Sequence, residues 1–458
     1  MSDVLIIQAK GRAVGLKGQT LFRDTIFALS SGGLPSGVAV VRLSGPQSRD
    51  AVHRLAGTLP PPRELRHARL RDAAGEAVDT GLVVFFPGPA SFTGEDCAEF
   101  HIHGGRAVVG RLLSVLSASP GLRQAEAGEF TRRALAYGKI DLPGAEALAD
   151  LIEADTEAQR RFALANANGR HQHLYEGWRE RILAARALIE AELDFADEDD
   201  VPGAMSDTVW PDMTALAEEI EAHVAGYRQA EIIREGFRVA IIGAPNSGKS
   251  SLLNALARRD VAIVSDEPGT TRDLVTVELD LDGMKVIVTD TAGIREGAGA
   301  VEREGIRRSR AAARDADCVI VLVEAGSTMS VPADVPVDAW WIASKADLVE
   351  PGDRKKSGAG LWLSVRSGEG VALLLDRLGA AARASAGPRG ALVPFTVRQV
   401  EELARGAAAL RMAATGTAGL EIRAEELRVA GHALGRTLGT MDVEEILGAI
   451  FSRFCIGK

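Results

Sequence analysis

The sequence predicts an α/β unit set inside an all-α region, with an α+β part ahead of both. Three observations predict it. The apolar run Val239-Ala240-Ile241-Ile242 leads directly into Gly243-Ala244-Pro245-Asn246-Ser247-Gly248-Lys249-Ser250 and then into the helix-prone Ser251-Leu252-Leu253-Asn254-Ala255-Leu256, a strand–loop–helix order. Residues 1–141 mix strand-like apolar runs with helical stretches, punctuated by glycine and proline. On either side of the α/β unit, from 145 to about 195 and again over 396–411 and 424–438, apolar residues recur at helical spacing.

Taken in chain order, residues 38–43 and 81–86 read as strands, and Pro87-Gly88-Pro89 and Gly104-Gly105 end them. A helix is predicted over 106–117. From 145 onward Leu148, Leu151, Ile152, Ile182, Leu183, Leu188 and Ile189 mark helices, closed by the acidic run 194–200 and Pro202. A single helix is predicted over about 212–234. Within the α/β unit, Asp282-Gly283 between alternating segments signals a hairpin. Residues 324–339 and 348–360 look too short for full crossover helices. The expected domains are 1–141, 142–234, 235–386 and 387–458, with the third inserted into a helical domain formed by the second and fourth. No internal repeat or low-complexity tract is present.

Composition narrows the class. A chain of 458 residues should hold two to four domains, and 46% apolar residues suffice for packed cores. No segment approaches the roughly 20 uninterrupted apolar residues of a membrane span, and the first ten residues lack a charged-then-apolar leader. Three widely spaced cysteines, Cys97, Cys318 and Cys455, fit a reducing compartment without disulfides or zinc. A cytoplasmic protein without membrane contact is expected. The net charge of −10 argues against a broad polybasic surface. RNA contact would be local, around Arg132-Arg133, Arg160-Arg161 or Arg307-Arg308-Arg310, although such clusters are more often solvated helix faces.

The chemistry begins at the glycine-rich loop. Gly243 and Gly248 let successive backbone N–H groups turn toward an anion, and the following helix adds its partial positive charge. Lys249 would reach the β- and γ-phosphates and the Ser250 hydroxyl would hold magnesium. Downstream, in order, come Pro268-Gly269-Thr270-Thr271, then Asp290-Thr291-Ala292-Gly293 after a strand-like run, then Ser344-Lys345-Ala346-Asp347 and Ser364-Val365-Arg366. A nucleotide switch needs these parts in this order. The Asp347 carboxylate can accept two hydrogen bonds from guanine N1 and N2 and would repel the acceptor edge of adenine, so the nucleotide is GTP. The candidate nucleotide-binding residues are Asn246, Ser247, Gly248, Lys249, Ser250 and Ser251; Ser265, Asp266, Glu267, Pro268, Gly269, Thr270 and Thr271; Asp290, Thr291, Ala292 and Gly293; Lys345, Asp347, Ser364, Val365 and Arg366.

Hydrolysis requires something that orients the attacking water. Where many GTPases place glutamine, after the D-T-A-G segment, this chain has Ile294. Glu302, just beyond the 296–300 segment, is the candidate for that role. Asn246 offers an uncharged oxygen to a monovalent cation, and such a cation could replace the charge of an arginine finger.

Outside the α/β unit, Ser91-Phe92-Thr93-Gly94-Glu95-Asp96, His103-Gly104-Gly105, Gly128-Glu129-Phe130-Thr131, Gly138-Lys139-Ile140-Asp141-Leu142, the segment 145–152 and the terminal Phe454-Cys455-Ile456-Gly457-Lys458 together resemble the MnmE (TrmE) family of tRNA modification GTPases. The likeness runs from about Asp24 to the last residue. It implies an N-terminal tetrahydrofolate-binding domain that forms a homodimer, a helical domain and an inserted GTPase domain of the Ras-like P-loop kind. It further implies action on the wobble uridine of tRNA with an FAD-dependent partner, MnmG (GidA), in a heterotetramer-type complex. That pair would install an aminomethyl-type (carboxymethylaminomethyl) group at uridine C5 from a 5-formyl or methylene folate. By matched position, Arg42, Glu99, Lys139 and Lys458 would contact folate. Asn246, Ser265, Glu267 and Thr270 would ligate potassium, and Ser250 and Thr271 magnesium. Glu302 would be the catalytic carboxylate and Cys455 the functional terminal cysteine.

The chemistry suits the implied ligand, since Arg42 and Lys139 can answer the glutamate carboxylates of a folate and Glu99 its guanine-like pterin edge. Three departures stand out. Residue 344 is serine where the family's base-reading segment begins with asparagine, which should weaken bracing of the phosphate loop by about 1 kcal/mol. The loop 30–37 differs from the usual P-G-R-G-G, and residues 1–23 precede the family's usual start. A ribosome-assembly GTPase of the Era or Der kind shares the phosphate loop, but it should carry a basic RNA-binding domain after the GTPase domain. Here that part is helical, with Glu421, Glu425, Glu426, Asp442, Glu444 and Glu445. A non-catalytic folate-sensing scaffold would leave Glu302 and the potassium ligands without purpose.

Overall fold

The computed structural model describes residues 21–194, 206–263, 275–290, 314–327, 335–351, 354, 360–388, 390–440 and 457. The chain divides into two compact units: Met1–Ala149 with Ala167–Ala217 and Arg405–Lys458, and Asp150–Asn166 with Glu218–Ala404.

In the first unit, strands β1 (Thr25–Leu29), β2 (Ser36–Ser44), β3 (Arg66–Arg71), β4 (Ala77–Phe86), β5 (Cys97–Gly104) and β6 (Leu122–Gln124) form one sheet in the order β3-β4-β5-β2-β1-β6. Alternation along β1 decides the packing. Phe27 joins Val41, Leu43, Phe85 and Phe100 under helix α2 (Arg106–Ser117), while Ile26 and Ala28 pack with Phe130 of helix α3 (Glu129–Ala136). Helix α1 (Ser48–Ala56) adds Val52 and Leu55 to the larger cluster. The predicted strands at 38–43 and 81–86 lie within β2 and β4, and the helix predicted over 106–117 is α2.

The helical stretch resolves into α4 (Leu142–Ile152), α5 (Glu157–Asn166) and α6 (Arg170–Asp194). On α6 the buried stripe is Tyr175, Trp178, Ile182, Ala185 and Ile189, whereas Leu183 and Leu188, counted as apolar markers, are exposed. The single helix expected over 212–234 is two, α7 (Ser206–Ala225) and α8 (Tyr227–Glu235). Gly226 stands at the junction because a Cβ there would come within 2.3 Å of Val393 Cγ1.

The second unit holds β7 (Phe237–Ile242), β8 (Val275–Leu281), β9 (Met284–Asp290), β10 (Cys318–Glu324), β11 (Trp340–Ser344) and β12 (Leu361–Trp362), ordered β12-β11-β10-β7-β9-β8. All neighbours run parallel except the β8–β9 hairpin. A parallel sheet is buried on both faces, which is why Val239, Ala240 and Ile241 are consecutively apolar. The hairpin turns at Asp282 (φ 53°) and Gly283 (φ 84°), two left-handed residues as a tight I′-type turn requires. Helices α9 (Lys249–Ala257) and α10 (Val371–Ser385) contribute Leu252, Leu253, Leu374 and Leu378 to the core. Among the described residues, the β10–β11 and β11–β12 connections hold a 3-10 turn, Ala346–Leu348; residues 328–334, 352–353 and 355–359, on which the expectation of short crossovers also falls, lie outside the described residues.

Helix α5 packs in this second unit. Ala158 N donates to Gly283 O at 3.0 Å, and Gln159 Nε2 to Arg234 O at 2.7 Å. The Arg234 guanidinium meets both Asp150 carboxylate oxygens at 2.7 Å. Residues 150–166, grouped by sequence pattern with the helical part, thus share a compact body with the α/β sheet. Helices α11 (Val397–Thr415) and α12 (Leu420–Thr437) complete the described chain, and α12 packs on α6 in the first unit.

Candidate nucleotide site and a second polar cluster

The phosphate loop leaves β7 at Ile242 and enters α9 at Lys249. Gly243 is required by proximity, since a Cβ there would lie 2.3 Å from Leu322 O. Asn246 (φ 64°) and Gly248 (φ 98°) take the left-handed conformations that turn backbone N–H groups into a concave nest. Lys249 Nζ donates to Gly243 O and Ala244 O, both at 2.9 Å, spanning the loop it would leave for a phosphate. Burial pushes the Lys249 ammonium below its ordinary pKa, and the charge of Asp290 opposes that shift.

Asp290 ends β9, opposite Ile241 of β7, and is fully buried. Ser250 Oγ donates to Asp290 Oδ2 at 2.9 Å. A hydroxyl and a carboxylate side by side are the hard oxygen donors that magnesium takes, so this pair fits that ion. At the base end, Asp347 lies in the 3-10 turn after β11, and its Oδ1 accepts from Ser364 Oγ at 2.6 Å. That bond, with the charge of Arg366, holds the Asp347 carboxyl below its usual range, so it is ionised at neutral pH. Lys345 (φ 55°) pairs with Glu324 at 2.8 Å. The structure therefore brings Lys249, Ser250, Asp290, Lys345, Asp347, Ser364 and Arg366 into one unit. Ser265, Asp266, Glu267, Pro268, Gly269, Thr270, Thr271, Thr291, Ala292, Gly293, Glu302, Cys455 and Lys458 lie outside the described residues.

Two contributors were not legible in the chain. Arg354 donates to Ala346 O (2.7 Å) and Val349 O (3.2 Å) and stacks on Trp362, clamping the turn that carries Asp347. Ser344, whose lost amide is expected to weaken bracing of the phosphate loop, keeps one tie to it: its Oγ donates to Ser247 O at 2.6 Å. A side chain shorter than asparagine still reaches because the end of β11 runs directly beneath the loop.

In the first unit, Arg42 of β2 faces Glu99 of β5 in register, with Nε at 3.0 Å and Nη2 at 2.9 Å from Oε1. Phe92 lies under the Arg42 guanidinium, and Lys139 Nζ donates to Pro89 O at 2.9 Å, so the 87–95 loop touches both cations. His101 Nε2 sits 3.2 Å from Glu99 Oε2. That residue was missed, although two positions along a strand place it on the face of Glu99. Gly457, next to Lys458 in sequence, accepts from Ser30 Oγ through its carbonyl at 2.7 Å, beside the end of β1.

Beneath this cluster is a buried ion network. Arg133, with no exposure, meets Glu95 Oε2 at 3.1 Å, Glu129 Oε1 at 3.1 Å and Asp24 Oδ1 at 2.9 Å. Burial raises the Glu95 carboxyl above its ordinary value, outweighing Arg133 and the Ser44 hydroxyl. Burial alone would raise Glu129 as well, but donors from Arg123, the Glu126 N–H and Arg133 bring it below normal.

The family model described as "MnmE helical domain" matches residues 142–455, and that described as "GTP-binding protein TrmE N-terminus" matches 25–139. A Mesorhizobium japonicum protein named tRNA modification GTPase MnmE is 54% identical over 442 residues, 95% of this chain and 99% of its own. One of the same name from Chelativorans sp. is 54% identical over 439 residues, covering 95% and 98%. Aquifex aeolicus Era bound to GDP·AlF4− superposes with a TM-score of 0.25 at 21% identity over 38% of this chain and 66% of its own. With both family models and relatives this similar along nearly the whole length, the chain belongs to the MnmE (TrmE) family of P-loop GTPases.

Proposed function

We propose that this GTPase drives modification of the tRNA wobble uridine at C5, as a cytoplasmic homodimer working with an FAD-dependent partner of the MnmG (GidA) kind. The observation that carries the reading is the pairing of Arg42 with Glu99 on the sheet whose β1 end bonds Gly457 through Ser30, within a chain 95% of which aligns with proteins named tRNA modification GTPase MnmE. Residues 427 positions apart are thereby joined at one sheet, as a site shared by N-terminal and C-terminal motifs requires. Glu99 presents acceptor oxygens and Arg42 donors, a combination that fits a one-carbon tetrahydrofolate (5-formyl or methylene), with Lys139 and Lys458 for its carboxylates. The domain division 1–141, 142–234, 235–386 and 387–458 belongs to this reading.

At the GTP site Lys249 exchanges the Gly243 and Ala244 carbonyls for phosphate oxygens, while Ser250 and Asp290, with Thr271, hold magnesium. When bound, magnesium and potassium would supply positive charge to the phosphoryl oxygens as the bond from the γ-phosphorus to the bridging oxygen breaks. Asn246 is exposed in the loop, so its amide oxygen is open to a monovalent ion, with Ser265, Glu267 and Thr270 as the other ligands. Glu302 orients the attacking water, and Cys455 serves the modification chemistry.

Two expected results follow. GTP turnover is faster in potassium than in sodium at equal ionic strength, and Asn246→Ala removes the difference; equal wild-type rates in both salts would reject the cation role. For the function itself, nucleosides of total tRNA are compared in cells lacking the chain, complemented with wild type or Glu99→Gln. Wild type restores the C5-substituted wobble uridine and Glu99→Gln does not. An unchanged nucleoside profile in the deletion strain overturns the tRNA role, and full complementation by Glu99→Gln places the folate elsewhere.

A further inference from the structure

We infer that His101 is a positioning residue of the proposed folate site, which pins the Glu99 carboxylate so that one free acceptor, on Oε2, is left for the pterin edge. The inference rests on the folate reading above. Arg42 brings both Nε, at 3.0 Å, and Nη2, at 2.9 Å, to the same oxygen of Glu99, Oε1. Two donors occupy the lone pairs of that oxygen, yet they leave the carboxylate plane able to swing about it. His101 Nε2, 3.2 Å from Oε2, supplies the second point that fixes the plane. Facing a carboxylate, Nε2 is the ring nitrogen that carries the hydrogen. One lone pair of Oε2 then remains for a ligand, in a direction set by the imidazole.

Strand geometry explains why His101 turns to Glu99. Residues 99 and 101 stand two positions apart on β5 and so share one face of the sheet. Directly across from His101 are Val40 on β2 and Leu82 on β4. Cross-strand partners share a face, so the imidazole stands between two aliphatic side chains that offer it no hydrogen bond. His103, two positions the other way, is tied through Nδ1 to Asp79 at 2.9 Å. Glu99 is thus the polar neighbour along the strand that is open to His101. Arg42 is steadied from its own side by Phe92, whose ring centroid lies 5.7 Å from the guanidinium carbon. A carboxylate held at both oxygens before the ligand arrives spares the cost of ordering it on binding.

The test is calorimetric binding of 5-formyltetrahydrofolate to the full-length chain. Wild type binds, and Glu99→Gln binds more weakly by about tenfold or more, the worth of a hydrogen bond to a charged acceptor. His101→Leu should weaken binding by roughly three- to tenfold. His101→Gln keeps an N–H donor at similar reach and should bind within about twofold of wild type. Because His101 acts through Glu99, adding His101→Leu to Glu99→Gln should cost less than about twofold more. A general loss of structure would be neither rescued by glutamine nor silent in the Glu99→Gln background. Where His101→Leu does not fold, His101→Asn, too short to reach Oε2, takes its place. Unchanged affinity in His101→Leu, no recovery in His101→Gln or full additivity in the double variant would each overturn the inference and leave the folate reading standing. No binding by wild type, or wild-type affinity in Glu99→Gln, would overturn the folate reading and the inference with it.

Discussion

Replacing Asp347 with asparagine is expected to lower kcat/KM for GTP by about three orders of magnitude and to make xanthosine triphosphate the better substrate. The carboxylate accepts from guanine N1–H and N2–H; an amide keeps one acceptor and turns its NH2 donor toward the other guanine donor. Xanthine has a carbonyl at C2, which that NH2 can satisfy. A site built for a hydrogen-bonding group rejects a mismatched partner by roughly 10⁴–10⁵-fold when fully buried. Asp347 is exposed, so about 10³-fold is the appropriate scale. The Ser364 bond should survive, because its acceptor can be the remaining amide oxygen. Steady-state hydrolysis of the two nucleotides decides the matter: GTP turnover within tenfold of wild type, or no gain for the xanthine nucleotide, would show that Asp347 is not the base reader.

The second large effect is on stability. Arg133→Met should destabilise the first unit by about 3–5 kcal/mol, since it leaves Glu95 buried without its cation and Glu129 with Arg123 alone. For a unit of this size that corresponds to a fall in Tm of roughly 6–20 °C. Adding Glu95→Gln to Arg133→Met should recover part of the loss, as it removes the stranded charge. Calorimetry of the two variants provides the measurement. A loss below about 1 kcal/mol for Arg133→Met would mean that the network is held by packing and not by charge. The network also carries the proposed folate site, because Glu95 ends the loop bearing Phe92, and Arg133 sits six residues before Lys139 on the chain segment that follows α3.

Parts of this architecture were readable because they are local. The phosphate loop, the Asp282-Gly283 hairpin and helix α2 each follow from residues within a dozen positions, where backbone sterics and hydrophobic period act directly. The order of nucleotide motifs could be read for the same reason, since each is a short string with its own chemistry. The Arg42–Glu99 pair was reached only through family resemblance, and its register on adjacent strands accounts for it physically. The need for glycine at 226 escaped detection because the side chain that leaves no room for a Cβ there is Val393, more than 160 residues away. Leu183 and Leu188 misled for a related reason: a long helix carries apolar residues off its buried stripe, and only the packed partner reveals which stripe is buried.

By itself the sequence located the strand–loop–helix proposed to cradle the phosphates and, in Asp347, the proposed reader of the base. Tertiary structure alone decided what steadies those parts: Ser344 beneath the loop, Arg354 behind the base reader, His101 beside Glu99 and Arg133 under the sheet. Each of these acts through a hydrogen bond or ion pair whose partner is remote in sequence or on another element. Such bonds depend on angstrom-scale placement that folding sets and that no local pattern of residues encodes.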